Sequence, residues 1–206
     1  MSRGKTYGIG VNDSEYKVRT TETVDGKQII TWECPIFTTW KDMMKRCYSE
    51  NYHKKQPTYK DCSVCTEWLS YMNFHKWAKD KHGLDPDGKK LQLDKDLLIP
   101  ENIVYSPDTC LFVPSKVNTF LSEGSRTRDR KLPKGLCWSK AREILQVFCK
   151  DPLDRHSKFL GDVSSVEEGV ELYKKTKLKY LEDLYTAGYV DSNLLYVLQE
   201  RIKHNE

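Results

Sequence analysis

The chain has 206 residues, of which 38% are hydrophobic and 31% charged, and its formal net charge is +4 at pH 7. These values predict one mid-sized domain or two small ones with a hydrophobic core, and they exclude a disordered chain. So small a net charge is by itself weak support for a nucleic-acid partner. An odd number of cysteines (seven), no apolar run of membrane-spanning length and a polar start after Met1 predict an intracellular protein with reduced thiols.

Residues 5–33 predict a small antiparallel sheet. Short β-rich runs over 7–11, 16–18 and 28–32 alternate with turn residues along this segment. Asp25-Gly26, which separates two such runs, is the best hairpin signal in the segment. No catalytic grouping is visible in it.

Two helices are predicted next, over 36–50 and roughly 66–82. The apolar residues at helical spacing in the first helix are Trp40, Met43, Met44 and Cys47. Thr38 or Thr39 is available as its N-cap, and Lys45 and Arg46 lie on its opposite face. Helical spacing alone favours a core role for the apolar residues of both helices. A turn cluster over 83–90 follows the second helix.

The segment 91–120 has the order strand, loop, strand, helix. An acidic strand is predicted over Leu93–Asp96, and Tyr105-Ser106-Pro107 closes the loop after it. A second strand over 108–114 and a helix start that carries Asn118 complete the segment. Elements in this order project polar groups to one place, as in a ββα-metal nuclease site.

Two upstream strings accompany that segment. Residues 40–48 match W-x-x-M-x-x-R-C-Y, and residues 59–68 match Y-x-x-x-x-V-C-x-x-W. Together with 91–120, these strings resemble the HNH nucleases of the phage homing type. The resemblance implies a ββα-metal fold and a phage-encoded protein that acts in the cytoplasm of the infected bacterial host.

The resemblance places the catalytic positions at Asp94, Lys95, Thr109 and Asn118. Homing-type members carry an Asp-His pair where this chain has Asp94-Lys95, so an ammonium group replaces the imidazole base. A lysine with a pKa of about 10.4 is neither a base nor a metal ligand at neutral pH. Thr109 stands where the family has Asn, and only Asn118 matches. The sequence therefore predicts a retained fold without standard HNH cleavage, with Lys95 as a phosphate contact.

Two metal sites are alternatives. Asp94, Asp96 and Asp108 offer an oxygen-only ligand set that suits Mg²⁺, the cofactor expected if the protein is catalytic. Cys62-x-x-Cys65 is half of a zinc site. The residues available to complete the zinc site are Cys47, Cys110, His53, His75 and His82. Because structural zinc sites usually contain two close pairs and this chain has one, packed thiols are the favoured interpretation.

A basic run follows the central segment. Residues 124–142 contain seven Lys or Arg residues and one acid, Asp129, which is a local excess of +6. The first part of this run lacks hydrophobic periodicity and is rich in Ser, Gly and Arg, as a linker is. Its charge indicates a linker laid along a phosphate backbone, and a solvated tether is the alternative.

Three short strands and a capped helix are predicted after the linker. The strands fall at 135–140, 144–149 and 156–161, and Ser164-x-x-Glu167 is a capping box for the helix. This order resembles the Apetala-type DNA-binding domain, in which one face of a three-stranded sheet enters the major groove. The resemblance implies DNA contacts from Trp138, Lys140, Arg142 and Gln146. A last helix, Asn193 to Lys203, is predicted as packing or a small interaction face.

The predicted fold class is α+β: an N-terminal small sheet with an HNH-like ββα-metal domain, then a three-stranded sheet with a packed helix. The predicted boundaries are 1–35 for the β segment, 36–122 for the HNH-like domain, 123–134 for the linker and 135–206 for the Apetala-like module with the last helix.

The predicted function is double-stranded-DNA binding. The alternatives are an active Mg²⁺-dependent endonuclease that nicks or cuts DNA, and an inhibitor that binds a host protein; no membrane partner is expected. The predicted DNA-binding residues are Lys45, Arg46, Lys95, Arg126, Arg128, Arg130, Lys131, Lys134, Trp138, Lys140, Arg142 and Gln146.

Overall fold

The computed structural model describes residues 5–121 and 132–204, and within these ranges the fold is α+β. The strands are β1 (Arg19–Val24), β2 (Lys27–Glu33), β3 (Ser63–Val64), β4 (Gln92–Asp94), β5 (Val104–Tyr105), β6 (Leu111–Val113), β7 (Leu136–Ser139), β8 (Ile144–Lys150) and β9 (Ser157–Val163). The α-helices are α1 (Pro35–Tyr48), α2 (Glu50–Lys55), α3 (Tyr71–Ala78), α4 (Ser115–Leu121), α5 (Val166–Thr186) and α6 (Ser192–His204).

The described residues form two compact units. The first contains 5–83 and Leu93–Phe112, and the second contains Leu84–Gln92, 113–121 and 132–204. The predicted linker, 123–134, falls mostly outside the described residues. The helix α4, predicted as the last element of the HNH-like domain, belongs to the second unit.

The core of the first unit is aromatic and is organised by α1. Trp40 is fully buried, and its indole Nε1 donates to the Trp68 carbonyl at 2.7 Å. Residue Cys34 is the N-cap of α1 and Pro35 occupies its first turn, so the expectation of a Thr38 or Thr39 cap was wrong. Proline suits this place because its fixed φ matches the helix and its missing N–H has no partner there in any case.

The small antiparallel sheet predicted for the N-terminal segment consists of a single hairpin. β1 and β2 pair antiparallel around Asp25-Gly26, both of which have positive φ as a tight hairpin turn requires. The run at 7–11 makes only isolated bridges, from Gly10 to Thr6 and from Val11 to Ser70, and the run at 16–18 forms no strand. The predicted second helix is likewise shorter, because Thr66–Leu69 is a 3₁₀ turn and α3 begins after Ser70, whose side chain accepts from the Asn73 N–H.

In the second unit, three antiparallel strands in the order β7-β8-β9 lie against α5. Leu136 and Val163 face Gly169 on the first turns of α5, and this contact defines the buried face of the sheet. The helix cap is displaced by one residue from the prediction: Ser165 is the N-cap and accepts from the Glu168 N–H. None of the helices in the described ranges is long and apolar enough to cross a membrane.

Candidate nucleic-acid interface

The strand register decides which side chains share the outer face of the β7-β8-β9 sheet. Cys137 pairs with Gln146, which pairs with Asp162, so these three residues lie on one face. Leu136 and Val147 form the neighbouring pair and are buried, which places them on the face covered by α5. Because side chains alternate along a strand, Gln146 and Asp162 point away from α5.

Asp162 connects the polar residues of this outer face. The Arg142 guanidinium, in the turn between β7 and β8, donates from Nη1 to Asp162 Oδ1 at 3.3 Å and from Nη2 to Oδ2. The Gln146 Nε2 donates to Asp162 Oδ1 at 3.1 Å. A two-point Arg–carboxylate contact fixes the plane of the guanidinium. Asp162 was missed in the sequence, and only the pairing of β8 with β9 reveals it.

The remaining residues predicted for this surface are distributed differently. Trp138 pairs with Leu145, so it lies on the opposite sheet face from Gln146, where its side chain is half exposed. Lys140 is exposed in the turn after β7. Lys134 is half-buried just before that strand. The predicted contacts Arg126, Arg128, Arg130 and Lys131 lie outside the described residues.

In the first unit, Asp94 terminates β4 and folds the chain back on itself. Its Oδ1 accepts from the Asp96 N–H at 3.0 Å and from the Leu97 N–H at 2.6 Å, an Asx-type turn. Burial raises the pKa of Asp94, and the nearby Asp96 carboxylate acts in the same direction. The geometry therefore gives Asp94 a structural contact to the backbone.

Lys95 is directed into the protein. Its side chain is 11% exposed, and Nζ donates to the Asn102 carbonyl at 2.6 Å and to the Asp96 carboxylate at 3.0 Å. The Asn102 amide in turn donates to the carbonyls of Lys95 and Val104. Asn102, which was not singled out in the sequence, thus closes the loop together with Lys95. An ammonium group held in this way stabilises the loop.

Two other positions of the HNH comparison also make internal contacts. The Thr109 hydroxyl donates to the Val104 carbonyl at 2.8 Å. Asn118, on α4 in the second unit, donates from Nδ2 to the Gln92 side chain at 2.9 Å. Of the carboxylates in the predicted Mg²⁺ set, Asp108 is exposed in the turn before β6.

The two cations predicted on α1 differ in exposure. Arg46 is half-buried, lies over the Tyr59 ring and donates from Nη1 to the Tyr105 hydroxyl at 3.4 Å. Lys45 is exposed, with its Nζ 5.6 Å from the centre of the Tyr52 ring. Lys45 is therefore accessible to a partner, whereas Arg46 is engaged with Tyr59 and Tyr105.

The described residues contain no group of three His, Cys, Asp or Glu side chains arranged to hold a metal ion. Burial raises the pKa of both Cys47 and Cys110 to about 12, which keeps these thiols protonated at neutral pH. Burial likewise raises the pKa of Cys62 and Cys65, the pair predicted as half of a zinc site.

Comparison of this chain with protein-family models, with curated proteins and with solved structures found no match.

Proposed function

We propose that this protein binds double-stranded DNA through the outer face of the β7-β8-β9 sheet. The observation that carries the proposal is the Arg142–Asp162–Gln146 arrangement, in which two side chains suited to base edges are held side by side on one exposed sheet face. A β-ribbon fits the major groove, where Arg recognises guanine and Gln recognises adenine. A sheet backed by a helix, as in the Apetala-type domain, supports the same proposal.

Asp162 has a defined part in this proposal. Arg142 uses one N–H of Nη1 and one of Nη2 for Asp162, and its other N–H groups remain for a base or phosphate. The carboxylate also limits the positive charge of the face. Asp162 thereby favours sequence discrimination over general phosphate attraction, because a fixed fork matches only one arrangement of acceptors.

Affinity would come mainly from the basic run at 124–142. Its excess of +6 acts on phosphates and is independent of sequence. Lys140 and Lys134, the described lysines of this run, lie just beyond each end of β7, beside the proposed face. Base contacts from the sheet would then set the register on the duplex.

Under the same proposal, Asp94, Lys95 and Thr109 are degenerate HNH positions that no longer support standard cleavage. Asp94 accepts two backbone N–H groups, and Lys95 is bound to Asn102 and Asp96. A metal-dependent nuclease site needs carboxylates directed at an ion and a neutral base directed at water. The contacts of Asp94 and Lys95 serve the loop instead, and these contacts support DNA binding without cutting.

The test is a gel shift on duplex DNA over a range of salt concentrations, combined with a supercoiled-plasmid assay in Mg²⁺ and Mn²⁺. Arg142→Gln is expected to weaken binding to a selected sequence by about 1–3 kcal/mol and to reduce discrimination against mismatched sites. Lys175→Gln, an exposed position on α5, is the matched control and should leave both quantities unchanged.

Three outcomes would overturn the proposal. An equal effect of Arg142→Gln and Lys175→Gln on DNA affinity would show that the sheet face does not bind the duplex. Plasmid nicking that requires a divalent metal and disappears in Asp94→Ala would show an active endonuclease. Absence of any salt-sensitive shift, together with nuclease-resistant capture of one purified host protein, would favour the inhibitor.

A further inference from the structure

A cavity of about 480 Å³ lies in the first unit, whereas the proposed DNA face belongs to the second unit. Its apolar lining is the buried pair Val18 and Phe37, and its rim carries the cationic side chains of Lys17, Arg19 and Lys41. Pockets that hold small organic ligands typically measure about 300–1,000 Å³. The size and the mixed lining therefore suit a small molecule with an apolar body and an anionic head.

The N-terminal segment that carries the lining residues Thr6 and Asn12 packs closely against α1. Gly10 lies so close to this helix that an added Cβ would be 2.8 Å from Met44 Cε and 2.9 Å from Trp40 Cζ2. The next residue is also fixed, because the Val11 N–H donates to the Leu69 carbonyl at 2.8 Å. The cavity is thus bounded by ordered backbone on its N-terminal side.

The charge around the cavity is positive. Lys41 is paired with the Glu33 carboxylate, with 2.6 Å between Nζ and Oε1, and that carboxylate also accepts from Thr38. Lys17 and Arg19 are exposed and form no ion pair with any of the described residues. Three cations and one carboxylate leave a local excess that attracts an anion.

Neutral donors complete the rim. The Asn12 Oδ1 accepts from the Ser14 N–H at 3.2 Å and from the Ser14 hydroxyl at 2.8 Å. This pattern fixes the orientation of the amide and leaves Nδ2 as its donor end. Thr6 and Asn12 both line the cavity.

We propose that this cavity binds a small organic phosphate monoester, with the phosphate on Lys17, Arg19 and Asn12 and the organic body on Val18 and Phe37. A phosphate monoester carries a charge of roughly −1.5 to −2 and several strong acceptor oxygens, which matches the exposed cations Lys17 and Arg19 and the neutral amide of Asn12. A carboxylate carries half that charge. The proposal is independent of the DNA-binding function, because it uses other residues on the other unit.

Calorimetry on the full chain tests the proposal with inorganic phosphate, deoxythymidine 5′-monophosphate and deoxythymidine as probes. The monophosphate is expected to bind more tightly than either phosphate or the nucleoside, since only it reaches both the cations and the apolar floor. Arg19→Gln and Lys17→Gln should each weaken binding by about tenfold or more, the loss expected for one charge-assisted hydrogen bond. Lys27→Gln, on the same hairpin but outside the cavity, should leave binding unchanged.

Lys17, Arg19 and Lys27 are all exposed, so we expect all three variants to fold. Unchanged melting curves will show that a loss of binding does not come from unfolding. No binding of the monophosphate at millimolar concentration would overturn the proposal. Equal losses of affinity in Arg19→Gln and Lys27→Gln would show only general charge attraction and would overturn the proposal. Displacement of the monophosphate by a short duplex, abolished in Arg19→Gln, would show that the cavity takes a DNA backbone phosphate and would likewise overturn it.

Discussion

Lys95 offers the sharpest test of the structural interpretation. The sequence predicts that this lysine contacts a phosphate, whereas the structure shows its ammonium group bound to the Asn102 carbonyl within a loop. In Lys95→Met the aliphatic stem is retained, so the change removes the ammonium group without opening a large cavity. The Asn102 carbonyl loses its charged donor at 2.6 Å, a loss of about 1–3 kcal/mol. The Asp96 pair adds little, because that carboxylate is 49% exposed and exposed pairs contribute about 0–1 kcal/mol.

Urea unfolding followed by tryptophan fluorescence measures this loss, since Trp40 and Trp68 are buried in the same unit as Lys95. The expected result is a lower midpoint for Lys95→Met and an unchanged midpoint for Lys60→Met, an exposed control. The salt dependence of DNA binding should be the same in both variants. If Lys95→Met leaves the urea midpoint unchanged and lowers the salt dependence of DNA binding by about one phosphate contact, the structural role of Lys95 is refuted.

Three further changes probe the second unit. Gly135→Ala should destabilise the fold by about 2–5 kcal/mol in denaturant titrations, because φ is +81° there and the new methyl group would overlap the Tyr173 ring. Hydrogen bonds from the Tyr189 hydroxyl and from Lys116 lower the pKa of Asp87 to about 2. The stability that the ionised Asp87 contributes is therefore present at neutral pH and is lost as the pH falls towards that value. Asp87→Asn should therefore lower the melting temperature at neutral pH, with a difference that narrows in acid. The exposed Cys137 thiol should react first with a maleimide in mass-spectrometric labelling, and duplex DNA should slow this reaction if the proposed face is correct.

Local patterns were sufficient for the elements whose formation depends on neighbouring residues. Asp25-Gly26 predicted the hairpin turn, and helical spacing around Trp40 predicted α1, because turn geometry and helix periodicity are properties of a short stretch of chain. The three strands at the C-terminal end and the helix after them were predicted for the same reason. The displaced cap at Ser165 shows the limit of such patterns, since Ser164-x-x-Glu167 and Ser165-x-x-Glu168 both match the capping box and the pattern alone does not choose between them.

The sequence by itself determined that the chain is an α+β protein with an aromatic core and a concentrated basic run. Only the tertiary structure decided what the charged residues contact. Lys95 points inward because Asn102, which is seven residues further on, supplies its acceptor, and Arg142 is oriented because β9 brings Asp162 opposite Gln146. The direction of a long polar side chain depends on which acceptors the folded chain brings close to it, and neither composition nor periodicity records those acceptors.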